Sequence, residues 1–254
     1  MEKVSVDLFE PYMLGDIEIK YRFGMASLTR QRCQSDGVPT DSVVKYYSER
    51  AESAGFVFTE CSAVSPVGNS FKGSAAIYSK EQVDGWKKVT DAVHEVGGKI
   101  YLQIWHCGRA AHIKNTGYQP VAPSQIKNRH KGRVVADFEP YDEPRELSEE
   151  DIKEIINQFY QGAINAKEAG FDGLVLHSAN GYLSDQFLRD CSNKRTDKYG
   201  GSIEKRCTFT LEVIDKLIEV FGASRVGIKL SPCGRFNDMF DSDPLSLCKY
   251  LLPE

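Results

Sequence analysis

The chain has no run near 18 apolar residues, so no segment reads as a membrane span. It has no excess of basic residues: 32 Lys and Arg stand against 36 Asp and Glu, a formal net charge of −4. That balance gives no electrostatic case for nucleic acid or an anionic membrane as partner. Its seven cysteines are an odd number and include no Cys-x-x-Cys spacing. This reads as free thiols in a reducing, cytoplasmic setting rather than a disulfide frame or a zinc site. The segment Met1 to Pro11 is acidic and lacks the apolar core of a signal peptide. No Gly-x-Gly-x-x-Gly fingerprint, fixed-period repeat or low-complexity linker occurs, so residues 1–254 read as a single domain of unknown oligomeric state.

What is present is an ordinary globular composition, 41% hydrophobic and 27% charged over 254 residues. A chain of this size buries roughly 70–75% of its unfolded surface in one core. Strand and helix patterns alternate. Tyr12 to Ile19 alternates around Gly15-Asp16 as an entry hairpin. Candidate barrel strands are Tyr21 to Ala26, Phe56 to Phe58, Ile100 to Ile104, Leu174 to His177 and Val226 to Leu230. Between them lie helix patterns at Val43 to Ala54, capped by Asp41 or Ser42, and at Lys80 to Val96, capped by Ser79. A third helix runs to Ala169, with Ser148 and Asp151 as a capping-box variant; a fourth starts at Ser202 and ends near Phe221. The polar stretch from Ala110 to Leu147 reads as a solvated connection with a short hairpin at Arg133-Val134-Val135. Asp243-Pro244 opens a last helix. Strands alternating with helices imply a parallel sheet, and the length suits a (β/α)8 barrel. Only about five of eight strand–helix units can be counted, however, so the barrel is expected to be incomplete at its C-terminal side.

The densest chemistry lies at Gly173-Leu174-Val175-Leu176-His177-Ser178-Ala179-Asn180-Gly181-Tyr182. A buried strand ends there in an imidazole, a carboxamide and a phenol. In barrels of this type the carboxyl ends of the strands carry the active site. Two donors could stabilise a developing oxyanion and the phenol could give a proton. Taken singly, each has a plainer reading: His177 as a satisfied strand-end histidine, Asn180-Gly181 as a turn, Tyr182 as rim packing, Trp105 as core filler. Gln103 on an apolar strand is awkward to bury without a partner, which favours a ligand-facing role.

Several motifs in order resemble the old yellow enzyme family of flavin mononucleotide (FMN) oxidoreductases, including the 12-oxophytodienoate reductases. They are Leu28-Thr29-Arg30, Thr59-Glu60, Gln103-Ile104-Trp105-His106-Cys107-Gly108-Arg109, His177 to Leu183, Asp185 to Asp190, Asn193 to Ser202, and Gly227-Ile228-Lys229-Leu230-Ser231-Pro232. The resemblance implies an eight-stranded barrel with FMN at its carboxyl end, reduced by NAD(P)H and passing hydride to a small activated alkene. It implies flavin contacts from Ala26, Ser27, Thr29, Cys61, Gln103, His177 and Lys229. Thr29 would meet the flavin carbonyl near N5 and Gln103 its pyrimidine edge. His177 and Asn180 would hold the substrate carbonyl, Tyr182 would protonate the α-carbon, and Trp105 would wall the pocket. His106 and Arg109 are read as structural, and no metal is implied.

Two departures from that pattern matter. Lys229 stands where most relatives carry arginine, which keeps the charge and loses the planar fork. The last three strands are not found, and with them the loops that commonly grip a ligand phosphate. Competing readings are a flavin-poor, inactive remnant of such an enzyme, and a flavin-free barrel enzyme using Lys229 as a Schiff-base lysine.

Overall fold

A computed structural model describes residues 7–130 and 140–252. The hairpin expected at Arg133-Val134-Val135 lies outside the described residues. The elements are β1 (Tyr12–Leu14), β2 (Ile17–Ile19), β3 (Gly24–Met25), α1 (Asp41–Ala51), β4 (Phe56–Ala63), β5 (Ala75–Ala76) and α2 (Lys80–Glu95). Next come β6 (Ile100–Trp105), α3 (Ile113–Thr116), β7 (Val121–Ala122), β8 (Arg145–Glu146) and α4 (Glu149–Glu168). Then follow β9 (Gly173–Ser178), α5 (Leu183–Leu188), α6 (Ile203–Phe221), β10 (Val226–Leu230) and α7 (Pro244–Leu251).

The main sheet runs β3-β4-β6-β9-β10, with β5 beside the end of β4, and every pairing in it is parallel. Spatial order equals chain order. Such a sheet never reverses its winding, which separates a barrel wall from a doubly wound sheet with a switch point. The edges of this wall among the described residues are β3 and β10.

Local chemistry sets the helix boundaries. Ser79 and Gln82 form a reciprocal capping box at α2, as Ser148 and Asp151 do at α4. Asp243 accepts from the Ser246 amide at 3.0 Å, and Pro244 opens α7. The start of α1 departs from the sequence expectation. Its N-cap is Thr40, not Asp41 or Ser42, and the helix ends at Ala51 rather than Ala54. The Thr40 hydroxyl donates to the Arg32 carbonyl at 2.8 Å, so the residue is held by the preceding loop and leaves the cap without a side-chain bond. β4 is also longer than Phe56 to Phe58. A bulge between Phe58 and Cys61 shifts its register against β6 and carries the strand on to Ala63.

The period of two along each strand divides the core. Leu102, Ile104, Leu174 and Leu176 pack outward against helix residues that include Trp86, Val89, Phe159 and Phe209. Tyr101 and Val175 face the other way and meet Phe56, Phe58 and the hairpin residues Ile17 and Ile19. The β1–β2 hairpin therefore plugs the amino end of the wall. Arg225, just before β10, holds it there with a salt bridge to Asp16 at 3.0 Å. The amino end is closed by packing, which leaves the carboxyl end for ligands.

Candidate active site

Register decides which side chains share the inner face. Gln103 pairs with Cys61 and with Val175, Trp105 with Ala63, and His177 with Lys229. Paired residues on parallel strands point to the same side, so Cys61, Gln103, Trp105, His177 and Lys229 all face inward. A cleft of about 400 Å3 opens beside them, lined by Gly24, Ala26, Ser27, Phe58, Val175, Gly227 and Lys229. At Gly227 an added Cβ would meet nothing nearer than the Val175 side chain at 3.6 Å, so this stretch of wall has room for a flat group to lie against it.

Gln103 is fully buried. Its amide nitrogen donates to the Cys61 sulfur at 2.9 Å, while its Oε1 has no hydrogen-bond partner among the described residues. Burial pushes the Cys61 thiol up to about 12, with Lys229 and the Thr29 hydroxyl acting against it. Cys61 is thus a neutral thiol wedged between Thr29 and Gln103. Thr29 itself is exposed at the rim.

His177 is buried, and its Nδ1 lacks a partner among the described residues. Burial, and after it the charge on Lys229, pulls its pKa down to about 3. The ring is therefore neutral at physiological pH, one nitrogen donating and one accepting. Tyr182 stands edge-on to it, ring centroids 4.9 Å apart, and edge-on to Trp105 at 4.5 Å. Burial raises the Tyr182 phenol well above its ordinary range. Trp105 is fully buried between Tyr182 and the stacked ring of Phe71. It supports the site through those two rings. Its Nε1 is a third buried polar atom without a partner among the described residues.

Asn180 follows on a turn with φ +59°, a left-handed conformation that asparagine tolerates better than most residues. Its amide donates to the Ser231 hydroxyl at 2.8 Å and its carbonyl accepts from Asn237 at 2.7 Å. The next amide, Gly181, donates to Asp185 at 2.8 Å. Asp185 is itself in a buried ion pair with Arg189 at 2.9 Å. The structure thus brings His177, Asn180 and Tyr182 to one end of the wall, with Gln103, Cys61 and Lys229 beside them. Thr29, Ala26 and Ser27 line its rim.

Sequence reasoning missed Ser231, Asn237 and the Asp185–Arg189 pair. The consecutive Asn237-Asp238, residue types that tolerate left-handed turns and adopt them here, was the available signal for Asn237.

The sequence profile of one family matches residues 7–246. The chain belongs to the NADH:flavin oxidoreductase / NADH oxidase family. A putative 12-oxophytodienoate reductase 2 from Oryza sativa subsp. japonica is 41% identical over 254 residues, covering 99% of this chain and 66% of that protein. A probable flavin mononucleotide-dependent alkene reductase of Leishmania infantum is 45% identical over 255 residues, covering 97% of this chain and 70% of that protein. The solved structure of an old yellow enzyme homologue from Zymomonas mobilis superposes with a TM-score of 0.93 at 38% identity, over 97% of this chain and 69% of that one. The old yellow enzyme resemblance is borne out, and with it the TIM-barrel type of fold. The chain spans about two thirds of the length of the first curated relatives it matches, 66% and 65%. For this family the residues present fit a flavin: buried polar atoms that include Gln103 Oε1 and His177 Nδ1 lie without partners among the described residues on the face that borders a cleft with a lysine in its wall.

Proposed function

We propose that this chain forms the FMN-bearing wall of an oxidoreductase that reduces the carbon–carbon double bond of α,β-unsaturated carbonyl compounds at the expense of NAD(P)H. The observation that carries the reading is the pair of buried, unpartnered atoms, Gln103 Oε1 and His177 Nδ1, on the inner face beside Lys229. Buried polar side-chain atoms normally have a partner in the protein, a bound water or a ligand, so these two can accept one.

Ala26, Ser27, Thr29, Cys61, Gln103, His177 and Lys229 would hold the flavin, which when bound supplies the hydride chemistry. Gln103 would meet a polar edge of the flavin with the oxygen its neighbours leave free. Lys229 would set its positive charge beside the bound flavin from the cleft wall. His177, kept neutral by burial and by Lys229, offers a hydrogen bond to the substrate carbonyl without adding a full charge. Asn180 supplies the second donor to that oxygen. Two such donors match the charge that grows there as an enone accepts hydride; removal of one oxyanion donor costs about 2.7–4 kcal/mol in well-studied enzymes. Tyr182, its phenol protonated through the whole physiological range, delivers a proton to the α-carbon. Trp105 fixes the Tyr182 ring by its edge-on contact.

The test is a titration of the purified chain with FMN, followed by the flavin absorption band and by reoxidation of the dithionite-reduced complex with 2-cyclohexen-1-one. We expect a bound yellow species whose reoxidation slows at least 100-fold in His177→Ala. A chain that gains no flavin band at high FMN, or a His177→Ala variant that reacts as fast as the parent, overturns the reading.

A further inference from the structure

The loop that follows β10 reaches back to the Asn180 turn from two sides. Ser231 accepts the Asn180 amide proton at 2.8 Å, and the Asn237 side chain donates to the Asn180 carbonyl at 2.7 Å. Both main-chain polar groups of Asn180 are therefore occupied by one segment, 51 and 57 positions further along the chain. The contact is close as well as polar. At Gly181 a Cβ would fall 2.6 Å from the Asn237 Cβ and 2.7 Å from Met239.

Asn237 is in turn fixed on every side. It is fully buried, and its Oδ1 accepts from Tyr141 at 3.1 Å and from Asn128 at 3.2 Å. Its own backbone is left-handed (φ +57°), as is that of Asp238 (φ +60°). Arg109 spans this turn, donating to the carbonyls of Asn237 at 3.3 Å and Asp238 at 3.2 Å. A third bond from Arg109 goes to the Ile126 carbonyl at 3.1 Å. A buried guanidinium that spends its donors on carbonyls of two loops acts as a clamp.

We propose that Asn237, clamped by Arg109 and seconded by Ser231, is the positioning residue that sets the left-handed turn at Asn180 and so aims its carboxamide at the substrate carbonyl. A left-handed non-glycine residue is strained and persists only where its surroundings over-determine it. Two long-range hydrogen bonds to one residue's main chain do that here. Without them the turn relaxes, and the Asn180 side chain moves relative to His177, which is fixed on β9. The claim about aim rests on the function proposed above; the claim about the backbone does not.

Asn237→Asp is the sharpest perturbation. It keeps the size and the acceptor for Tyr141 and Asn128 and removes the donor to Asn180. The first readout is the Cα and Cβ chemical shifts of Asn180 and Gly181 in the labelled chain, which report the left-handed conformation without flavin or activity. The second is the dissociation constant of 2-cyclohexen-1-one from the FMN-loaded chain. We expect the shifts to move away from left-handed values. We expect enone affinity to fall about 3- to 10-fold, the range of one hydrogen bond's net worth, with FMN affinity unchanged. Shifts that stay in place with enone affinity within twofold of the parent overturn the proposal. If Asn237→Asp does not fold, Ser231→Ala is judged by the same criteria. Should the parent fail to bind FMN, the proposed function falls, and the shifts alone decide the positioning claim.

Discussion

Lowering the pH from about 7.5 to about 5.5 offers His106 and His177 protons that the folded chain refuses. Burial drags His106 down to about 3, and burial together with Lys229 does the same to His177. In the unfolded chain both titrate near 6.5. Between those values the unfolded state binds more protons, so stability is fully present above about pH 6.5 and drains away as the pH falls toward 3. Integrated from about pH 7.5 to about 5.5, each histidine costs about 1.4 kcal/mol, and the two about 2.7 kcal/mol. That is a large share of a typical stability of roughly 5–15 kcal/mol. Glu60 and Asp185, raised mainly by burial, act in the opposite sense, because their folded forms take up protons first. A comparison of variants removes that background. Urea unfolding of the flavin-free chain, followed by tryptophan fluorescence, is measured at both pH values for the parent, His106→Asn and His177→Asn. Each variant should lose about 1.4 kcal/mol less than the parent on acidification, whatever its absolute stability. An equal loss in parent and variants would refute the buried, neutral state of these rings.

Other outcomes follow from the same geometry. Lys229→Arg keeps the positive charge and restores a planar fork, so FMN binding should tighten or stay unchanged in a fluorescence titration; clear weakening would remove Lys229 from the flavin site. Asp185→Ala strands the buried Arg189 and frees the Gly181 amide; chemical denaturation should show a loss of about 3–5 kcal/mol, and a loss under 1 kcal/mol would contradict the burial of that pair. Gly181→Ala combines a backbone φ of +75° with a Cβ 2.6 Å from Asn237, and should lower both thermal stability and enone affinity. Tyr182→Phe should leave FMN and enone binding intact and slow reoxidation of the reduced flavin by the enone; unchanged turnover would take the proton-donor role from Tyr182.

The sequence by itself determined the order of elements and most of their boundaries, because those rest on local signals. The capping residues Ser79, Ser148, Ser202 and Asp243 each sit at the N-cap of the helix they foretold, since a cap bonds an amide only two or three residues away. Strand β10 matches its predicted span, Val226–Leu230, because an apolar run between a polar turn and Ser231-Pro232 has little choice of end. The family-bearing motifs were equally legible, and they pointed to His177, Asn180, Tyr182, Gln103 and Lys229 together. What the chain order could not show is which of these residues meet. The pairing of Lys229 with His177 and of Gln103 with Cys61 is a matter of strand register, fixed by burial of the alternate face against the helices. The β4 bulge that aligns Cys61 with Gln103 has no local signature in Phe58 to Cys61. The depressed pKa of His177 is likewise a property of the packed wall and of a lysine 52 positions away in the sequence. The hold of Ser231 and Asn237 on Asn180 belongs to the tertiary structure alone, since only the folding of β10 beside β9 brings that loop back over the turn.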